Sequence, residues 1–140
     1  MKVLVDTSVW SLMLRPDPTS LSSAEASLVK ELQDLVNDGR VQMIGPVRQE
    51  LLTGVKHEAL FKTLLHKLRS FSDLSLEQKD YEYAAQLANV CISAGIAVTN
   101  VDLLVCAVAL LNDWPVFSTD KDFAQYQRVL KIRLHKHDQR

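Results

Sequence analysis

Four acidic residues stand where the edge of a sheet could collect them. Asp6 follows the apolar run Val3-Leu4-Val5, and Asp120 follows a second short apolar run over 115–118. Glu50 lies just beyond the apolar stretch 41–44, and Asp102 heads the continuous apolar segment 103–111. At an effective dielectric near 20, two charges about 4 Å apart repel by roughly 4 kcal/mol, so acids gathered in one crevice need protons, basic partners or cations. The nearest bases in sequence are Lys121 and Arg48. A hard divalent ion answers the electrostatics more economically, because Mg²⁺ and Mn²⁺ prefer oxygen ligands and no Cys or His belongs to the set. Such an ion can bind a phosphodiester and lower the pKa of an attacking water. The hydroxyls of Thr7, Ser8, Ser118 and Thr119 are placed to orient the carboxylates. Each acid also has a structural explanation: Asp6 and Asp102 as helix caps, Glu50 as an early helical acid complementing the dipole, Asp120 and Asp122 as turn residues.

The surrounding elements decide whether the acids meet. Val3-Leu4-Val5 reads as a central strand of a parallel sheet, buried on both faces, with Asp6 at its carboxyl end. A short helix is expected over 8–15, stopped by Pro16 and Pro18. Ser22-Ser23-Ala24-Glu25 has capping-box spacing and opens a helix that closes at Asn37-Asp38-Gly39. A strand over 41–44 is broken by Gly45-Pro46, with Pro46 near the start of a helix that holds Glu50 in an early turn. Gly54 ends that helix, and another follows over 58–68. Ser75-Leu76-Glu77-Gln78 again has capping-box spacing and opens a long helix ending at Gly95. Residues 96–98 read as a strand or a connector. Thr99-x-x-Asp102 introduces a helix that is apolar on every side and therefore buried. A strand over 115–118, a weakly alternating edge strand over 129–134 and a charged tail over 136–140 complete the chain. Strands alternating with helices give an α/β fold, a parallel-sheet α/β/α sandwich with helices on both faces. Right-handed crossovers place the strand ends bearing Asp6 and Asp120 on one edge.

With 140 residues and 47% hydrophobic content, the chain fits one domain spanning 1–140. Asp6 interrupts the opening apolar run before it could act as a signal sequence, and no apolar stretch is long enough to span a membrane, so a cytoplasmic location is expected. Cys91 and Cys106 fall in helices without CxxC spacing and read as small buried hydrophobes. The net charge of −1 is unevenly spread: the last twenty residues carry +4 and the first 120 carry −5. Lys56, Lys62, Lys67 and Arg69 form a second basic cluster, opposed in that stretch by Glu58 alone. Such clusters are either solvated helix faces or contacts for phosphates. His135-x-His137 lacks a third ligand and reads as part of the tail rather than as a metal pair.

The acids and their contexts resemble the PIN-domain ribonucleases, and among them the VapC-type toxins of bacterial toxin–antitoxin pairs. The resemblance rests on Val3-Leu-Val-Asp6-Thr7-Ser8-Val-Trp10, Pro46-Val-Arg-Gln-Glu50-Leu-Leu, Asp102-Leu-Leu-Val-Cys-Ala-Val-Ala-Leu110 and Ser118-Thr119-Asp120-Lys-Asp122-Phe123, four pieces in order along nearly the whole chain. Val105-Cys106 departs slightly from the small or aliphatic residues usual in the third piece. The resemblance implies a metal-dependent endoribonuclease toxin. Asp6, Asp102 and Asp120 would bind Mg²⁺ or Mn²⁺ with help from Glu50, and Asp122 would be a further acid. It also implies a homodimer, an RNA substrate such as tRNA, and a cognate VapB-like antitoxin whose C-terminal segment fills the acidic groove. Asp and Glu alone repel a polyanion, so Lys56, Lys62, Lys67 and Arg69 become candidate RNA contacts.

Two other readings stay open at this stage. A Mg²⁺-dependent phosphatase could use Asp6 as nucleophile, although Ser8 stands where such enzymes carry a second Asp. A non-catalytic PIN-like module could bind RNA or protein without cutting.

Overall fold

The computed structural model describes residues 1–137. At its centre lies strand β1 (Val3–Val5), with all three side chains fully buried, as the unbroken apolar run requires. It pairs in parallel with β2 (Val41–Ile44) on one side and β4 (Val116–Phe117) on the other, and β3 (Asp73–Leu74) adds to β2. The strand order is therefore β3-β2-β1-β4.

That order fixes where the helices go. Helices α1 (Thr7–Met13) and α2 (Ser23–Asn37) connect β1 to β2, and α3 (Gly45–Leu52) and α4 (Glu58–Leu68) connect β2 to β3. Both crossovers advance in the same direction, so right-handed connections put these helices on one face of the sheet. The chain then returns past β1 to β4 through α5 (Gln78–Ser93) and α6 (Asn100–Asn112), which the same rule assigns to the opposite face. A last short helix, α7 (Asp122–Tyr126), follows β4. The direction reverses between β1 and β4. In open α/β sheets the crevice at the carboxyl ends of such a pair is where ligands bind.

Helix boundaries follow local chemistry. Ser22 and Glu25 exchange the two bonds of a capping box at the start of α2. Helix α6 is the most deeply sequestered, with Leu103 to Ala109 buried without interruption, and Thr99 caps it by accepting from the Asp102 N–H at 3.2 Å. Gly39, Gly54 and Gly95 follow helix ends; at Gly54 the φ of 85° turns the chain from α3 toward α4.

Several sequence expectations are corrected. The second capping box does not begin at Ser75: α5 starts at Gln78, and the buried Asp80 carboxylate accepts from the Glu77 N–H at 2.7 Å. Ser75 instead directly follows β3, a strand too short to have a readable pattern. Residues 96–98 form a connector, not a strand. The edge strand over 129–134 reduces to one parallel bridge, Val116 to Leu134, in which Val116 donates to the Arg133 carbonyl at 2.8 Å and accepts from the His135 N–H at 2.7 Å. Of the charged tail, residues 138–140 lie outside the described residues. Among the described residues, no helix is long and apolar enough to cross a membrane.

Candidate active site

The carboxyl ends of β1 and β4 lie side by side. The Asp6 N–H donates to the Phe117 carbonyl at 2.9 Å, which carries the sheet one step past the last paired residues. Asp6 then leaves the strand and caps α1, its Oδ2 accepting from the Ser8 N–H at 3.2 Å. The cap reading of this residue is therefore correct, but it accounts for only part of its environment. Oδ2 also accepts from Ser8 Oγ at 2.7 Å and from Ser118 Oγ at 2.8 Å. Those hydroxyls continue the network, Ser8 Oγ accepting from the Thr119 N–H at 3.0 Å and Ser118 Oγ from the Asp120 N–H at 2.9 Å. Asp6 is 3% exposed, and its Oδ2 accepts from three donors.

Asp102 approaches from the first turn of α6 and is 8% exposed. Burial pushes its carboxyl pKa up, the nearby Asp6 and Asp120 charges push it further, and hydrogen bonding from Tyr126 and Thr99 opposes the rise. The Tyr126 hydroxyl donates to Asp102 Oδ2 at 2.7 Å. Tyr126 is fully buried, and its own pKa is raised first by that burial and then by the carboxylate it faces.

Asp120 and Asp122 lie on the exposed side. Asp120 Oδ1 accepts from the Asp122 N–H at 2.9 Å, an Asx turn that starts α7. One oxygen from each of Asp102, Asp120 and Asp122 falls within 4.8 Å of the others. Among the described residues, no Lys, Arg or His forms an ion pair with Asp6, Glu50, Asp102, Asp120 or Asp122. Arg48, one of the nearest bases in sequence, is committed elsewhere: it pairs with Asp73 at 2.9 Å and donates to the Leu68 and Phe71 carbonyls. An all-oxygen donor set without a neutralising side chain fits a hard divalent cation.

Glu50 lies in an early turn of its helix, as its sequence position indicates, but past the first. The first turn of α3 holds no acid, because the helix begins directly at Gly45 where β2 stops, and this leaves Glu50 in the second turn. There it is exposed and lines a shallow hollow with Pro46, Gln49, Thr53 and Val101, the residue before Asp102. Thr7 also differs from its neighbours, since its Oγ1 is buried without a hydrogen-bond partner and does not orient Asp6. Thr119 contributes its backbone N–H rather than its hydroxyl. Lys62 and Lys67 project from α4, with Lys56 and Arg69 beyond its two ends, and all four are exposed. Lys62 meets Glu58 at 3.2 Å, an exposed i,i+4 pair of little energetic weight. A second hollow, lined by Gly45, Arg48, Gln49, Leu52, Thr53 and Phe61, shares Gln49 and Thr53 with the first and leads from the acids toward α4. His135 binds Glu31 at 2.8 Å and packs on Phe117, so it has a structural partner.

With the geometry established, the relationship to known proteins is direct. The profile of the PIN domain matches residues 3–129. This chain belongs to the PIN domain family. No curated protein is a significant match. Among solved structures, the PIN domain described here is similar to a chain of VapBC2 from Rickettsia felis, bound to a DNA fragment from its promoter, with a TM-score of 0.76, 18% identity, and coverage of 99% of this chain and 100% of that one. It is similar to a chain of FitAcB from Neisseria gonorrhoeae at a TM-score of 0.74 and 19% identity, covering 96% of each. VapBC-5 from Mycobacterium tuberculosis gives a TM-score of 0.68 at 19% identity, covering 98% of this chain and 100% of that one. At these identities the likeness to the solved structures is one of fold. The family match extends over every element from β1 to α7 and includes all five acids.

Proposed function

We propose that this PIN domain is a metal-dependent endoribonuclease of the VapC toxin type, hydrolysing RNA phosphodiester bonds at its acid cluster. The observation that carries the reading is the convergence of Asp102, Asp120 and Asp122 beside Asp6 with, among the described residues, no basic side chain paired to them. PIN domains are generally nucleases that use a divalent ion, and this donor set suits Mg²⁺ or Mn²⁺. Asp6, Asp102 and Asp120 would hold the ion, with Asp122 joining them from α7. When bound, the ion supplies a Lewis acid that polarises a phosphoryl oxygen and lowers the pKa of an attacking water.

The chain's own residues do the rest. Ser8 and Ser118 fix Asp6 at the strand end, and the Asp122 N–H fixes Asp120. Glu50 adds a carboxylate from α3 on the solvent side, where a water can exchange its proton. Lys56, Lys62, Lys67 and Arg69, exposed on and around α4, supply the positive charge that the acids lack. The excess negative charge of the cluster also suits a basic side chain from a protein inhibitor. We assign that role to a VapB-like antitoxin, since the solved structures of similar fold include VapBC complexes. A cytoplasmic homodimer formed by this single domain, 1–140, completes the proposal, with structured RNA such as tRNA as substrate.

The test is incubation of the isolated chain with total RNA and with purified tRNAs in Mg²⁺, in Mn²⁺ and in EDTA, beside Asp6→Asn. Discrete fragments that need the ion and vanish in the variant support the proposal. Folded wild type and variant that leave the RNA equally intact would favour a non-catalytic binding module.

A further inference from the structure

We propose that Tyr126 is a positioning residue that restricts Asp102 to one-oxygen contact with the ion, and so tunes the site toward Mg²⁺ and Mn²⁺ and away from larger cations. The inference rests on the metal-site reading above and concerns a residue with no part in the sequence motifs.

Packing alone does not explain the tyrosine. Its ring is fully buried at the end of α7 and meets Phe123 edge to face, with centroids 5.4 Å apart at 83°. Phenylalanine would fill that space without carrying a polar atom inward. The hydroxyl is satisfied instead by a single short bond of 2.7 Å to Asp102 Oδ2. A phenol with an ordinary pKa near 10 is already a donor at neutral pH.

A donor on Oδ2 limits how the carboxylate can meet an ion. Ca²⁺ takes six to eight oxygens at about 2.3–2.6 Å and often uses both oxygens of a carboxylate, whereas Mg²⁺ demands a compact octahedron at about 2.0–2.1 Å. With one lone pair of Oδ2 committed to Tyr126, Oδ1 is the freer oxygen of Asp102, which favours one-oxygen contact and the smaller ion. The same arrangement recurs around the site. Asp6 has Oδ2 engaged by Ser8 and Ser118, and Asp120 has Oδ1 engaged by the Asp122 N–H. Tyr126 completes it at Asp102, which is buried as Asp6 is. Asp122 and Tyr126 are also four residues apart in α7, so the bond ties the helix carrying one acid to the side chain of another.

The experiment compares full-length wild type with Tyr126→Phe after removal of divalent ions, titrating each by calorimetry with Mg²⁺, Mn²⁺ and Ca²⁺. Wild type is expected to bind Mg²⁺ more tightly than Ca²⁺. In Y126F, Mg²⁺ affinity should fall by about tenfold, in the range seen when partners of ligating groups are removed, while Ca²⁺ affinity is held or rises. Equal losses for all three ions, or no change in any, would overturn the proposal, because a mere strut would not alter the ratio. Wild type that takes Ca²⁺ as tightly as Mg²⁺ would overturn it whether or not Y126F folds. Wild type that binds none of the ions would remove the metal-site reading itself, and this inference with it.

Discussion

Ser118 Oγ donates to Asp6 Oδ2 at 2.8 Å, joining the ends of two adjacent parallel strands across 112 positions of sequence. Ser8 reaches the same oxygen at 2.7 Å, and the two hydroxyls are 3.2 Å apart. One carboxylate oxygen thereby closes the β1 to β4 edge and orients an acid of the site.

Removing either hydroxyl should be felt in stability before any ion is added. Ser8→Ala and Ser118→Ala are each expected to cost about 1–2 kcal/mol, as hydrogen bonds to a partly buried charged group do. The double variant should cost more than the sum, because either hydroxyl alone still serves the shared acceptor. Urea denaturation in EDTA, with the slopes compared to confirm two-state behaviour, measures all three. Strict additivity would show that the hydroxyls act independently.

Asp102 gives a pH dependence of defined sign. Burial first, and the neighbouring charges of Asp6 and Asp120 next, raise its carboxyl pKa above the ordinary 3.8. The native state therefore holds a proton more tightly than the unfolded chain, and the ionised form at neutral pH is a destabilising element. As pH falls through the raised pKa toward 3.8, wild type recovers that stability, and below 3.8 the recovery is complete. Asp102→Asn has no such charge and still accepts from Tyr126. In EDTA it should melt at or above the wild-type temperature at pH 7, and the difference should shrink as the pH is lowered toward 4. A variant that is less stable at pH 7 by the same margin at every pH would contradict the assignment.

The basic residues around α4 carry the prediction for RNA. Replacing Lys62, Lys67 and Arg69 together with Gln should weaken RNA binding while sparing metal binding. For a single-stranded target, three lost phosphate contacts reduce the slope of log affinity against log salt by about 2. Filter binding across a salt series reads this directly. An unchanged slope would place the RNA elsewhere, with the C-terminal basic residues as the next to test.

What could be read from the chain and what could not divides along physical lines. Asp6 was legible because a three-residue apolar strand followed by Asp-Thr-Ser has few alternatives, and Asp102 because Thr99 caps an unmistakably buried helix. The sheet order sets the strand ends before Asp6 and Asp120 side by side, as the crossover rule requires. Glu50 was legible to within a residue, because Gly45-Pro46 marks where β2 gives way to α3, but its place past the first turn follows from the helix starting directly at Gly45. Strand β3 has two residues, below the length at which alternation can be recognised. Tyr126 escaped because an aromatic near Phe123 reads as core, which it is. The partner of its hydroxyl lies 24 residues earlier on another helix, and only the fold brings them together. Asp122 drew attention as a motif acid, but its place beside Asp102 and Asp120 depends on the turn that Asp120 closes with its N–H.

The most direct measurement follows ion binding and RNA cutting in one sample. Mn²⁺ is titrated into the isolated chain with a labelled RNA that it cleaves, bound ion being read by electron paramagnetic resonance and product by gel, for wild type and for Asp6→Asn. Binding and cleavage should rise together in wild type, and both should collapse in the variant while its fold is retained. Cleavage that persists in the folded variant, or cleavage without bound ion, would contradict this.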